Sequence, residues 1–533
     1  MSAAAVPSAG ARPAAAALSD RFLAALPLLA LFTWLALVHA WQAWLVPSPW
    51  LFSDELEHTQ LARSLAETGE TLRRGSPYPM SSLWVALAAP AWLIDDVQTA
   101  YGVVKFTSAI VMTSVVFPAY ALARLIAGPW ASLFAAAAAG AIPAFMYSGL
   151  MLQEPLAYPF ATLCLYVFVR ALAAPTYRWV LGALALALVA GRVRPQLAIL
   201  LGVLLLAGAV VWLRSERGRR LRARLSTWDK VGAGLLLVGL AIVGNEWMSH
   251  RSEPWQQTTR YWKHRMVDYA LDAGGALTIG IGILPVVAGL ALVAVALVRG
   301  ETPAVRAFAA VAAATIVVFA FYTGLKAAWL STHAFGRIPE RNLIYLAPLF
   351  FAATAYWMSR GRLHAAAVGA AAAFAAVLLV QTPYELGYPY FEAPGFSILA
   401  LANRHLAWDA PTIQAGCWSR SRSRSCSFSV RARSCDGRAR TAPSPRSPPC
   451  SSSRGTSPAA RPRRRGRASR ARSCSAATRR PSTGSTAPPA ASGRSSSGSR
   501  SRIRTSSTCS SSGTAPCRRC GASTGRRRAP GRR

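Results

Sequence analysis

The chain has 533 residues and a formal net charge of +38, but its charge and its apolar residues lie in different places. Residues 416–533 hold 29 arginines, no lysine, one acid (Asp436) and eight of the nine cysteines, and so carry +28 of the total. The remaining cysteine, Cys164, sits inside an apolar run, which excludes a disulfide framework or a zinc site as the organising element of the body.

In chain order, the body reads as a series of apolar runs. The first, RFLAALPLLALFTWLALVHAWQAWLV (21–46), is too long for a secretory leader and reads as a retained membrane span. About eleven spans are expected, near 22–45, 100–123, 130–150, 155–172, 178–191, 196–213, 230–247, 273–298, 304–324, 342–358 and 363–381. The stretch SLWVALAAPAWLI (82–94) is short and contains Pro90, so it reads as an interfacial or re-entrant helix. The expected fold is an all-α polytopic helical bundle with an outer-face loop helix. Its expected parts are a cytoplasmic N-terminal tail (1–20), a multi-span domain (21–413) and a disordered Arg/Ser-rich tail (414–533).

The densely cationic loop RSERGRRLRARLSTWDK (214–230) sets the orientation, because basic loops stay on the cytoplasmic side. Counting spans from it puts Arg124, Arg170, Arg178, Arg299, Arg306 and Arg360 on that side, in a cell membrane with the N-terminus inside. The outer face then receives most of the unusual polar residues, and this asymmetry is the main functional clue.

The first outer loop carries SDELEHTQLARSLAETGE (53–70), with Leu56, Leu61, Ala62 and Leu65 at helical spacing. Asp54 and Glu55 stand at the expected water–lipid boundary, where a carboxylate can be tuned for general-base work. The plainer reading is a solvated helix start, with Ser53 as cap and the two acids answering the helix dipole. This acidic pair, the LAR helix and the Tyr-Pro stretch SPYPMSSLWVALAAPAWL (76–93) resemble the GT-C superfamily of integral-membrane glycosyltransferases. Those enzymes use polyprenyl-phosphate sugars and include protein O-mannosyltransferases and aminoarabinose transferases. The resemblance implies that Asp54 is the catalytic base, with Glu55 its neighbour, and that Tyr78 contacts donor or acceptor. Family members often read YPP where this chain has Tyr78-Pro79-Met80.

Further outer-face residues fit that picture. Glu154, in QEPLAYP (153–159), is read as a ligand for acceptor or donor, with a divalent cation left open, or simply as a helix-start acid. In GRVRPQ (191–196), Arg192 and Arg194 lie against the positive-inside tendency, so an anionic partner is expected. A lipid phosphate suits guanidinium geometry, and general snorkelling is the alternative. The loop KAAWLSTHAFGRIPERNLIYLAP (326–348) adds Lys326, Arg337 and Arg341 as candidate donor-phosphate ligands and His333 as a weaker binding candidate. In 248–272, Trp255, Tyr261, Trp262 and Tyr269 read as an interfacial aromatic belt or as stacking faces for a sugar. No Walker motif, no G-x-G-x-x-G in a βαβ setting and no H-E-x-x-H occurs, which disfavours a nucleotide-sugar donor.

The expected function is therefore sugar transfer from a polyprenyl-phosphate donor to an outer-face glycan, lipid or protein, with membrane lipids as the other partners and no resident cofactor assigned. A transporter of lipid-linked sugars is the rival, although few charges lie at mid-span depth and no internal repeat is visible. For the tail, the run WSRSRSRSCS (418–427), written in GC-rich codons and read one base earlier, becomes LVALALALVL, another membrane-like run. The tail thus reads as frameshifted translation, and the chain could be a non-functional product. An RNA- or DNA-binding tail is disfavoured by its single pair of aromatics, Trp418 and Phe428, and by the absence of a folded module, so no nucleic-acid partner is expected.

Overall fold

Long apolar segments in lipid must satisfy every backbone group internally, and helices do so segment by segment. The computed structural model describes residues 14–415, except 47–48, 50–51, 80–81, 225, 230, 233, 236–264, 301, 334–337, 362–363 and 387–389; the side chains at 14–24, 222 and 330–333 also lie outside the description. Contacts divide the chain into Met1–Thr441 and Ala442–Arg533. The Arg/Ser-rich stretch from 416 onward, most of the expected span 230–247, and Trp255, Tyr261 and Trp262 lie outside the described residues.

The architecture is all-α. Among the described residues, five helical runs are long and apolar enough to cross a membrane: Ala25–Leu45, Val97–Arg124, Glu154–Ala173, Pro195–Arg214 and Pro303–Trp329. They correspond to five of the expected spans. Two more expected spans are bent pairs, Pro129–Ala139 with Pro143–Gly149 (56°) and Met266–Ile281 with Ile283–Arg299 (118°). The expected spans at 178–191, 342–358 and 363–381 contain Tyr177–Val193, Ala347–Arg360 and Ala365–Gln381, which have 17, 14 and 17 residues. At 1.5 Å per residue these helices are shorter than a 30 Å hydrocarbon core.

The 118° bend corrects the expectation of one continuous span at 273–298. It falls at Gly282, whose φ of 91° and ψ of 151° are open essentially to glycine alone. The first of these two helices approaches Gly324, Thr382, Gly395 and Glu340. It therefore lies against the end of the bundle that carries the polar residues, and only Ile283–Arg299 continues toward the arginine-lined end. An uninterrupted apolar stretch does not reveal such a turn.

The first loop builds a small structure of its own. Helix α1 (Ala14–Leu45) leads into α2 (Ser53–Thr68), which ends at Gly69 in the left-handed conformation. The N-cap is Phe52, in extended geometry, rather than the expected Ser53, whose hydroxyl instead lies 3.4 Å from Asp54 Oδ1. A hairpin follows, β1 (Leu72–Arg73) and β2 (Ser76–Pro77), turning at Arg74 and Gly75, both with positive φ. Then α3 (Leu83–Ala88) and the 3-10 turn Ala89–Leu93 pack Trp84, Val85 and Trp92 against Leu61 and Ala62 of α2. Burial of each large side chain contributes about 1.5–3 kcal/mol. The stretch 82–94 is thus two short helices. Ser82 ties them to the main bundle, its side chain capping Trp84 N and its hydroxyl donating to the Val193 carbonyl.

Candidate functional site

Four segments far apart in sequence bring their charges to one point. Asp54 stands in the first turn of α2, where the helix dipole favours a carboxylate. Glu154 opens the helix Glu154–Ala173, with Pro155 in the first turn, where its missing N–H costs nothing. Arg194 ends the helix Tyr177–Val193 in extended geometry, as a residue before proline prefers. Arg341 sits in the 3-10 turn Glu340–Asn342.

Arg341 is the hub. Its Nη1 lies 2.8 Å from Asp54 Oδ2 and 3.5 Å from Glu392 Oε1, and its Nε donates to Glu154 Oε1. Its guanidinium packs over Phe52 at 5.3 Å and over Tyr147 at 5.8 Å, a cation–π sandwich on a group with almost no exposure. Glu154 Oε1 is shared with Arg194 Nη1 at 2.7 Å, and Arg194 also donates to the Tyr345 hydroxyl at 2.8 Å. Guanidinium carries several donors in a planar fork, so one arginine can serve three carboxylates.

Exposure separates the members by role. The Glu154 side chain is 0% exposed, whereas that of Asp54 is 42% exposed. Glu154 is therefore an internal anchor for two arginines, and Asp54 is the carboxylate that a ligand can reach. Burial works against ionisation of Asp54, but the Arg341 guanidinium outweighs it and holds the carboxyl below its ordinary value. His58, one turn further along α2, is pushed down to about 4 by burial, so it is neutral beside this cluster.

Several buried polar atoms at or next to the cluster in sequence lack hydrogen-bond partners: His58 Nδ1, Glu154 Oε2, Gln196 Nε2 and both side-chain atoms of Asn342. Such orphaned groups are rare in folded interiors and concentrate where a molecule is to be bound. Lys326, half-buried on the long helix Pro303–His333, lies in the field of the same cluster, and Glu392 attracts it most strongly.

The structure thus brings together Asp54, Glu154, Arg194 and Arg341, with Lys326 nearby. Other candidates lie elsewhere. Arg192 is exposed in the last turn of the helix Tyr177–Val193, whereas Arg194, where the chain turns into Pro195, is buried. Glu55 points to the other side of α2, where it is fully buried and accepts the Met151 N–H at 3.3 Å. Tyr78 packs on the loop subcore and stacks with Arg73 at 5.1 Å. The side chains of His333 and Arg337 lie outside the described residues. Among the described residues no group of three or more His, Cys, Asp or Glu is placed to hold a metal ion. The carboxylates of the cluster are already committed to guanidinium.

Sequence reading missed Glu392, Phe52 and Tyr147. Glu392 lies in a stretch with no motif, and Phe52 and Tyr147 stand in apolar surroundings that give no signal of a charged partner.

No protein-family description and no curated protein matches the chain. Among solved structures, ArnT from Cupriavidus metallidurans bound to undecaprenyl phosphate is similar over 74% of this chain and 74% of its own, at 15% identity and a TM-score of 0.41. Likeness at that level carries no argument about fold or function.

Proposed function

We propose that this protein is a membrane glycosyltransferase that moves a sugar from a polyprenyl-phosphate donor to an acceptor hydroxyl at the outer face. The observation that carries the reading is the half-exposed Asp54 carboxylate, ionised and clamped by buried Arg341 at one end of an apolar helical bundle. In this mechanism Asp54 accepts the acceptor hydroxyl proton while that oxygen bonds to the anomeric carbon. The carbon–oxygen bond to phosphate breaks, and the electron pair leaves with the polyprenyl phosphate. Arg341 and Lys326 meet the charge that develops on the phosphate, and Arg194 holds Glu154 in place behind Arg341. The resemblance of the 53–93 loop to GT-C enzymes also supports the reading.

The test is transfer from a defined polyprenyl-phosphate sugar by membrane-embedded protein, wild type against Asp54→Asn. The expected result is turnover by the wild type and its loss in the variant. Equal turnover by both would remove Asp54 from the chemistry. We also read 414–533 as out-of-frame translation; sequencing the coding DNA across codons 405–435 tests that directly, and a neighbouring frame closed by stop codons would overturn it.

A further inference from the structure

Among the described residues, the cluster's ion pairs join three carboxylates, Asp54, Glu154 and Glu392, to two guanidiniums, Arg194 and Arg341, with the ammonium of Lys326 in the same field. Among these groups the charges balance before any substrate arrives. A phosphate entering it would leave excess negative charge in a poorly solvated place, which is costly unless one carboxylate withdraws.

The geometry identifies the one that withdraws. Glu154 is inaccessible and bonded to both arginines. Asp54 is held to Arg341 at 2.8 Å on a helix N-terminus. Glu392 makes the longest contact, 3.5 Å, and its side chain is 21% exposed. It is thus the carboxylate most easily exchanged on Arg341 for an incoming anion.

The backbone around Glu392 is pinned. The Phe391 ring stacks on Phe52 at 4.4 Å, and the Tyr147 hydroxyl donates to the Phe391 carbonyl at 2.6 Å. The Arg341 N–H donates to the Glu392 carbonyl at 2.9 Å, and the Gly395 N–H donates to Glu340 at 2.7 Å. A rotation of the Glu392 side chain can therefore free Arg341 without moving the chain that carries it.

We infer that Glu392 is an anionic placeholder, occupying in the resting protein the position that the donor phosphate takes on Arg341. This rests on the donor carrying a phosphate, as proposed above. Glu392 is a positioning and specificity residue: it keeps the arginine paired, and it admits only ligands whose charge can replace its own.

The experiment measures binding of radiolabelled polyprenyl phosphate, and of the uncharged polyprenol, to the full chain in neutral-lipid nanodiscs. Wild type, Glu392→Gln and Glu392→Ala are compared, with thermal unfolding as a check on each. Both variants are expected to bind the phosphate roughly ten-fold tighter, about 1.4 kcal/mol, with polyprenol binding unchanged. Unfolding temperatures should stay close to wild type, because the lost ion pair is long and partly exposed. If the wild type prefers phosphate to polyprenol but either folded variant binds it no more tightly, the placeholder role is overturned while the site reading stands. If no form prefers phosphate to polyprenol, both are overturned. If both variants tighten equally for polyprenol, the effect is steric and the placeholder is again rejected.

Discussion

Asp54 and Glu55 are neighbours in sequence, yet α2 delivers them to two different regions. On the Asp54 side, charge answers charge, and two buried arginines are shared among three carboxylates. On the Glu55 side the bonds named run to neutral partners: the Tyr101 hydroxyl to Thr59 at 3.0 Å, Lys105 Nζ to the Val46 carbonyl at 2.7 Å, and Glu55 itself taking a backbone N–H. The first region is half-open at Asp54 and leaves polar atoms unpaired around it, whereas Glu55 is sealed. One hundred degrees of helix rotation per residue thus separates a carboxylate that can do chemistry from one that holds a loop in place.

The strongest way to break this comparison is to remove the hub. Arg341→Met leaves Glu154 to Arg194 alone and is expected to destabilise the folded protein by about 3–5 kcal/mol, read by thermal or denaturant unfolding in detergent. Lys105→Met, on the neutral side, removes one hydrogen bond and should cost about 1–3 kcal/mol. Equal losses would show that the two regions do not differ in kind.

The next contrast separates function from support. Asp54→Asn should lower transfer by roughly 10²–10⁴-fold while changing stability by less than about 1 kcal/mol, because the carboxylate is partly exposed. Glu55→Gln should do the reverse, keeping transfer within a few-fold and losing about 1–3 kcal/mol of stability. Parallel activity and unfolding curves on the two variants decide between them.

The smallest expected effect is in pH dependence. Burial raises Glu340 from 4.5 to about 8, so its contribution is present in acid and is lost as pH rises between those values. His58 is lowered from 6.5 to about 4, so its contribution is present above 6.5 and is lost as pH falls toward 4. Asp54, also lowered, adds to the acid-side loss. Stability should therefore pass through a maximum in mildly acidic to neutral conditions. Glu340→Gln should remove the decline on the alkaline limb and leave the acid limb intact; an unchanged alkaline limb would remove Glu340 as its cause. Unfolding midpoints across pH 4 to 9 are the measurement.

Much of the architecture was legible because lipid-length apolar runs admit little besides helices. The LAR helix was readable from Leu61, Ala62 and Leu65, and Glu154 and Arg194 stood out as charges at span ends beside prolines. The bend at Gly282 was not legible, since hydropathy averages across a glycine and is blind to φ. Nor was the difference between Arg192 and Arg194, two basic residues in one tetrapeptide, which depends on how the Arg194-Pro195 corner leaves the helix.

The sequence by itself determined an all-α chain of apolar helices, with its acids and arginines gathered at their ends. That follows from local chemistry: backbone satisfaction, the cost of charge in an apolar medium, and proline and glycine at element ends. Only the tertiary structure decided which charges meet. Glu154 pairs with Arg341 across 187 positions and Arg194 reaches Tyr345 across 151. Such pairings depend on helix rotation and on the packing of distant segments, and no local pattern encodes them.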